Sequence, residues 1–199
     1  MCVKYIFFAL ASTIKIVIIL LLFINNSKAE ENNIKQYYDD MGTLVLMYHR
    51  FNENKYPSTN IRMNIFKKQM EIIEALNFNF YDPKKFVNDF KIPKSEKKIL
   101  ITIDDAFTSF YENAWPFLKK NQIPFILFVS TEAVGKNGYM SWEQIKEVEK
   151  EKFAYIGNHS HAHDYMVDFD DVVLVKDLDT AEKIFIKELG YNPIYFSYP

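Results

Sequence analysis

Leu100-Ile101-Thr102-Ile103-Asp104-Asp105-Ala106-Phe107 is the stretch of the sequence that decides its fold. Its apolar, β-branched first half predicts a buried strand, and the two carboxylates that follow need a reason, because buried charges are costly. Neighbouring strand residues point to opposite faces, so Asp104 and Asp105 are expected to have different tasks. In α/β proteins the carboxyl end of a parallel strand carries the chemistry. The alternative is a plain turn in which one aspartate caps the next helix.

Three of the four histidines lie within five residues, in the segment 156–164, which reads Ile-Gly-Asn-His-Ser-His-Ala-His-Asp. Neutral imidazole binds zinc and similar ions, and a carboxylate oxygen would complete a three-ligand site with an open position. His159 and His163 are four residues apart, so one helical turn or a tight loop can direct both at one ion. The alternative is a polar loop with incidental histidines. The cluster favours a metal site.

Both segments resemble motifs of a known family. Residues 102–106 are similar to the Thr-Phe-Asp-Asp-Gly motif of the polysaccharide deacetylases (NodB-homology domains, carbohydrate esterase family 4), and residues 159–163 to their His-Ser/Thr-x-x-His motif. Residues 125–130 and 140–142 resemble the family's segments between these motifs. Residues 46–50 resemble the opening strand of a subgroup that acts on exported poly-N-acetylglucosamine.

The resemblance implies a fold, a cofactor and a reaction. The fold is α/β, an irregular (β/α) barrel of the polysaccharide deacetylase type. Asp105, His159 and His163 would hold a divalent metal, with zinc as the first choice, and Asp104 would act as general base on water. The implied reaction is hydrolysis of the N-acetyl group of an N-acetylglucosamine-containing polysaccharide, which releases acetate and leaves a free amine.

Further residues are expected around this site. Ser160 would bond to a histidine or to the loop backbone, while His49 and Tyr198 would line the substrate. A structural role is the alternative for His49, because strand ends also need polar partners. Ala106 replaces the family's usual glycine, and Ser197 stands where many relatives carry an arginine that orients the base. The poly-N-acetylglucosamine subgroup also lacks that arginine.

The family's later motifs, including the Leu-x-His motif that supplies a general acid, have no counterpart before Pro199. The sequence therefore predicts a deacetylase domain at 42–199 whose barrel is incomplete at the C-terminus and whose activity is reduced. Two alternatives stay open: a sugar-binding or scaffolding module that keeps the metal site, and another metal-dependent amidase or esterase on the same fold. Asp104 favours an enzyme, because a structural metal site needs no second carboxylate beside the ligand.

The N-terminal segment up to Ala29 is expected to be a signal peptide. An apolar run at 16–24 follows Lys15, and small residues at Ser27 and Ala29 form an Ala-x-Ala-like cleavage site. The run is shorter than the roughly 20 residues of a membrane span, with an uncleaved anchor as the alternative. We therefore expect export to the periplasm, cell envelope or extracellular space, with residues 30–41 as a polar lead-in.

The composition is that of one globular domain: 199 residues, 49% hydrophobic and 25% charged. A net charge of -2 provides no basic surface for nucleic acid. The single cysteine, Cys2, lies in the predicted leader, so the exported domain is expected to have no disulfide. The expected partner is a polysaccharide, with membrane contact only through an uncleaved leader.

Strand and helix patterns alternate along the chain, as α/β architecture requires. The predicted strands are 44–48, 77–81, 99–103, 125–129, 153–156 and 194–198. The predicted helices are 64–76 with Asn64 as N-cap, 83–89, 109–121 with Pro116 inside it, 141–150 capped by Ser141, and 179–189 ended by Gly190.

Overall fold

A computed structural model describes residues 43–85 and 97–199. The predicted leader, the lead-in and the end of the helix predicted at 83–89 lie outside these ranges. No helix within the two ranges combines the length and the apolar character that crossing a membrane requires.

A parallel sheet forms the centre of the described part of the chain. The strands are β1 (Thr43–Tyr48), β2 (Arg50–Phe51), β3 (Asn60–Ile61), β4 (Asn79–Phe80), β5 (Lys98–Ile103), β6 (Phe125–Val129) and β7 (Ala154–Asn158). The main sheet has the order β1-β5-β6-β7, with β4 paired to the start of β5, and β2 pairs with β3 separately. All these pairings are parallel, so the carboxyl ends of the main strands meet at one edge.

Helices connect the strands and cover one face of the sheet. They are α1 (Met63–Ala75), α2 (Trp115–Asn121), α3 (Trp142–Glu149) and α4 (Asp171–Leu189). Short 3-10 turns occupy Pro83–Lys85 and Met166–Asp168, and a π-helical segment at Phe110–Ala114 leads into α2. The α/β class predicted from the alternating pattern is therefore confirmed.

Both faces of the central strand are buried, which explains why its sequence is a continuous apolar run rather than an alternating one. Every residue of β5 is buried. Alternate side chains of β5 and β6 join the main core on the helix-covered face: Ile99, Ile101, Ile103, Phe125, Leu127 and Val129. The others form a smaller cluster on the opposite face with Tyr81: Leu100, Ile126 and Phe128.

The start of α1 differs from the prediction. The helix begins at Met63, its N-cap is Arg62, and no N-cap side chain accepts a hydrogen bond there, so the predicted cap at Asn64 is wrong. The amide of Met63 instead donates to Oδ1 of Asn52, 2.9 Å away. A residue from the preceding loop thus does the work of the cap, and local sequence patterns do not reveal such a partner.

The helix predicted around Pro116 is divided in two. The π-helical segment ends at Ala114, and Pro116 lies in the first turn of α2, where its missing N–H costs no helical hydrogen bond. The last helix, α4, begins at Asp171 rather than at 179, because the side chain of Asp170 accepts a hydrogen bond from the Val173 amide. Its predicted end before Gly190 is confirmed.

The strand predicted at 194–198 is wrong. The segment makes a single parallel bridge, between Phe196 and Asn158, with hydrogen bonds from the Asn158 amide to the Tyr195 carbonyl and from the Ser197 amide to the Asn158 carbonyl. A proline stands at each end of the segment, at 193 and 199, and proline has no N–H to extend a ladder.

Gly157 offers a stability test of this sheet. A Cβ added at Gly157 would lie 2.3 Å from Cδ1 of Phe128, its partner on β6, and 3.0 Å from Cγ2 of Ile126. We expect Gly157→Ala to lower the free energy of unfolding by about 1–3 kcal/mol, as overpacked core sites do. Urea unfolding followed by circular dichroism measures the change. Adding Phe128→Leu should restore part of the loss, and an unchanged midpoint in the single variant would contradict the packing argument.

Candidate metal centre

The site lies where four strands of the sheet end. Asp104 and Asp105 follow β5, His159 follows β7, His49 follows β1 and Ser130 follows β6. These strands are parallel, so the sheet brings together polar residues that are up to 110 positions apart in the sequence. The polar residues therefore lie at the carboxyl edge of the sheet, where the sequence predicts them.

Asp105, His159 and His163 lie within reach of one another. Nε2 of His163 is 2.8 Å from Oδ1 of Asp105, and Nε2 of His159 is 3.7 Å from the same oxygen. One potential ligand atom of each residue lies within 4.8 Å of the other two. The structure therefore brings together the three residues that the sequence proposed as ligands.

The backbone around His159 fixes which nitrogen faces the site. Nδ1 of His159 lies 2.9 Å from the carbonyl oxygen of Ser197, and a carbonyl can only accept, so Nδ1 carries the proton. The amide of His159 donates to the carbonyl of Val129, at 3.0 Å. Nε2 consequently keeps its lone pair toward Asp105, which is the arrangement that metal-binding histidines have.

His163 and Asp105 form a hydrogen-bonded pair. The bond to Asp105 raises the pKa of His163, although burial opposes this. Burial would raise the pKa of Asp105, but the bond from His163 and the charges of nearby histidines bring it below its usual value. The side chains of Asp105 and His159 are 12% and 3% exposed and that of His163 is 43% exposed, so the site opens to solvent on the His163 side.

Left-handed backbone is concentrated in the two loops of this site. Asp105 and Ala106 have φ of 72° and 54°, and Ser160 and His163 have φ of 66° and 60°. Such conformations cost of order 1–3 kcal/mol each in residues other than glycine, and they cluster at functional sites. Ala106 thus has a backbone conformation that favours glycine, the residue that the family motif has at this position.

Asp104 is buried and incompletely hydrogen-bonded. Its amide donates to the Tyr48 carbonyl at 2.8 Å, but Oδ1 has no hydrogen-bond partner among residues 43–85 and 97–199, and the residue is 3% exposed. Burial, and secondly the charge of Asp105, raise the pKa of Asp104 to about 7, with His163 opposing. A buried carboxylate oxygen without a partner is unusual in a native protein, and it is a feature of groups that act on a ligand.

The remaining predicted residues are Ser160, His49 and Tyr198, and they differ in how they relate to this centre. The hydroxyl of Ser160 accepts a hydrogen bond from the His163 amide at 3.0 Å, and this holds the loop between the two histidines. His49 is half-buried; burial lowers its pKa while the charge of Asp105 opposes this, which places it in the electrostatic field of the site. Tyr198 is 78% exposed and packs edge-on against Phe196.

Sequence reasoning missed the loop after β6. A cavity of about 270 Å³ adjoins Asp105 and His163, and its other walls include His161, Tyr139, Lys136 and Glu132. The ring of Tyr139 packs against Phe107, with centroids 4.9 Å apart. The available signal was positional: these residues follow a buried parallel strand, where ligand-binding loops occur.

The donor set fits a zinc-type ion. Two imidazole nitrogens and one carboxylate oxygen are the three protein ligands of a catalytic site, and such a site leaves positions open for water or substrate. A hydrogen bond of 2.8 Å joins His163 to Asp105, and a bound ion would take the place of its proton. The cavity beside these residues provides room on the open side.

Comparison with known proteins agrees with this geometry. The sequence model of a family described as "Polysaccharide deacetylase" matches residues 91–199. The poly-beta-1,6-N-acetyl-D-glucosamine N-deacetylase of Staphylococcus aureus is 24% identical, in an alignment that covers 81% of this chain and 66% of that protein. The chain thus spans about two thirds of the length of this relative.

Solved structures share the fold. The structure of IcaB from Ammonifex degensii superposes with a TM-score of 0.71 at 29% identity, covering 79% of this chain and 74% of that one. The Streptococcus pyogenes deacetylase PplD, solved in complex with acetate, gives a TM-score of 0.70 at 21% identity, covering 80% and 74%. The (β/α) barrel fold of the deacetylase type is thereby confirmed.

Proposed function

Because the chain belongs to the polysaccharide deacetylase family, we propose that it hydrolyses the N-acetyl group of an N-acetylglucosamine-containing polysaccharide and releases acetate. The observation that carries this proposal is the pairing of a buried carboxylate at Asp104, whose Oδ1 has no partner within the described ranges, with the three converging donors beside it. The likeness to the Staphylococcus aureus deacetylase supports the choice of poly-N-acetylglucosamine as the substrate to test.

In this proposal Asp105, His159 and His163 hold the metal, and zinc is the ion that best suits their nitrogen and oxygen donors. When bound by these residues, a divalent ion would supply a Lewis acid for the acetyl carbonyl and would lower the pKa of water. Asp104 would accept the proton of the attacking water, because no residue that the structure describes bonds to its Oδ1. Burial raises its pKa to about 7, and a raised pKa suits a carboxylate that acts as a general base.

Three further residues have supporting roles in the proposal. Ser160 holds the loop between the two histidines through the His163 amide. His49 directly follows Tyr48, whose partner on β5 is Ile103, and the charge of Asp105 acts on it, so in the proposal it lines the reacting face. Tyr198 is solvent-exposed and close in sequence to the Ser197 carbonyl, where it would meet the polymer. The rate of acetate release by the variants His49→Gln and Tyr198→Ala tests whether these two residues contact the substrate or only support the structure.

The location of Asp104 weighs against a binding module that retains a structural metal. Such a module needs the three donors, but it gains nothing from a buried carboxylate oxygen that has no hydrogen-bond partner among the described residues, since burying that oxygen costs desolvation free energy.

Export also remains part of the proposal, on the basis of the sequence up to Ala29, and a mature N-terminus at or next to Glu30 would support it.

The test of the proposed function is acetate release by the full chain. We expect metal-dependent release from β-1,6-linked N-acetylglucosamine oligomers, lost after chelation and restored by one equivalent of zinc, because the metal supplies the Lewis acid. Enzymatic acetate detection measures the rate. Release that survives complete metal removal would contradict the metal-dependent mechanism. A folded, zinc-loaded chain that releases no acetate but retains the oligomer would instead establish the binding module.

A further inference from the structure

Asp177 is an acidic residue of α4 that is buried, with 8% of its surface exposed. Its two carboxylate oxygens accept hydrogen bonds from two successive amides of the histidine loop. The His161 amide lies 2.8 Å from Oδ1 and the Ala162 amide lies 2.8 Å from Oδ2. The whole carboxylate is therefore directed at the backbone between the two candidate metal ligands of that loop.

The helix that carries Asp177 is firmly anchored. Ala181 and Phe185 follow it at helical spacing on the same face, and both are completely buried. The ring of Phe185 packs edge-on against Trp142 of α3, with centroids 5.9 Å apart. The core therefore fixes the position of Asp177, and Asp177 in turn fixes the position of the loop.

The loop needs such a partner because its own conformation is unfavourable. Ser160 and His163 both have left-handed φ, and non-glycine residues keep such values only where their surroundings fix them. The Ser160 hydroxyl binds the His163 amide, and Thr131 Oγ1 lies 2.8 Å from Nδ1 of His161. Asp177 takes the two amides that remain between Ser160 and His163, and so completes the set of contacts that hold the loop.

We propose that Asp177 is a positioning residue for the metal centre: by binding the amides of His161 and Ala162, it holds His163 in place to meet Asp105. This inference rests on the metal site of the proposed function. Asp177 touches neither ion nor substrate. It acts through the loop backbone, and its loss leaves two amides without partners and lets the loop relax from its left-handed turns.

The test measures zinc affinity of the full chain by competition with a chromophoric chelator. Asp177→Ala should weaken zinc binding by about 10–100-fold, the loss seen when groups that orient metal ligands are removed. The ligand-field spectrum of the cobalt-loaded variant should change too, because His163 moves. Asp179→Ala is the matched control: this aspartate is on the same helix but exposed, and its partner is Lys183. It should bind zinc like the wild type.

Asp177→Asn is the second variant, for the case in which Asp177→Ala does not fold. It keeps the size of the side chain and one acceptor oxygen, and it should still weaken zinc binding by about tenfold. A merely structural role would lower the thermal midpoint of the metal-free protein while leaving the affinity of the folded molecules and the cobalt spectrum unchanged. That result would overturn the inference. Wild-type protein that binds zinc but releases no acetate would overturn the proposed reaction and leave this inference standing.

Discussion

Asp104→Asn should lower kcat for acetate release by about 10²–10⁴, the typical contribution of a positioned general base, while one zinc per chain stays bound. The change is nearly isosteric and removes the proton-accepting oxygen without altering any of the three donors. It also removes little else, because no residue in the described part of the chain bonds to Oδ1. KM should change far less than kcat, because the lost interaction is made in the transition state.

The control for this experiment is Asp168→Asn, which removes one carboxylate at an exposed position in the 3-10 turn Met166–Asp168. That variant should retain the wild-type kcat, so a general effect of net charge would be visible. Zinc content must be measured in parallel for every variant. An Asp104→Asn protein with full zinc and unchanged kcat would rule out Asp104 as the base, and one that loses its zinc would make Asp104 a ligand.

His159→Ala should abolish stoichiometric zinc binding. The imidazole is almost completely buried and its Nδ1 proton is committed to Ser197, so only Nε2 faces Asp105. Removing it leaves two donors. At a zinc concentration 100-fold above the dissociation constant, a bound ion stabilises the wild type by about 2.7 kcal/mol. The variant should show no such rise in its unfolding free energy, which calorimetry and urea unfolding both measure.

His161→Ala is the comparison variant from the same loop, because it loses the contact with Thr131 but none of the three converging donors. It should keep one zinc per chain and most of the zinc-dependent stabilisation. Loss of a buried ring will itself destabilise His159→Ala, so the comparison is between zinc-free and zinc-loaded samples of each variant. Zinc stabilisation that persists in His159→Ala would mean that a different set of ligands binds the ion.

The strands of the main sheet and its polar edge were predictable because their signals are local. The apolar run of β5 and the capping box of Ser141 and Gln144 each lie within a few residues, and the structure has both. The convergence of Asp105 on the histidine loop was expected from the family resemblance, and the fold explains it, because parallel strands end at a common edge.

What could not be predicted depends on partners that are distant in sequence. Asn52 supports the start of α1, and Asp177 binds the histidine loop from a helix whose first half was not predicted at all. The segment 194–198 has the apolar composition of a strand, yet it makes one bridge because its pairing is decided by tertiary contacts. Tyr139 reaches the site only because the loop after β6 folds back on it.

The bond from His159 to the Ser197 carbonyl joins the candidate metal centre to a segment that otherwise pairs with β7 at a single bridge. Thermodynamic linkage makes such a connection reciprocal. An ion that favours this orientation of His159 must favour the docked segment by the same free energy. Ion and segment then form one cooperative unit in which each is an effector of the other. Zinc should therefore slow hydrogen exchange at the amides of Asn158 and Ser197, two residues outside the donor set.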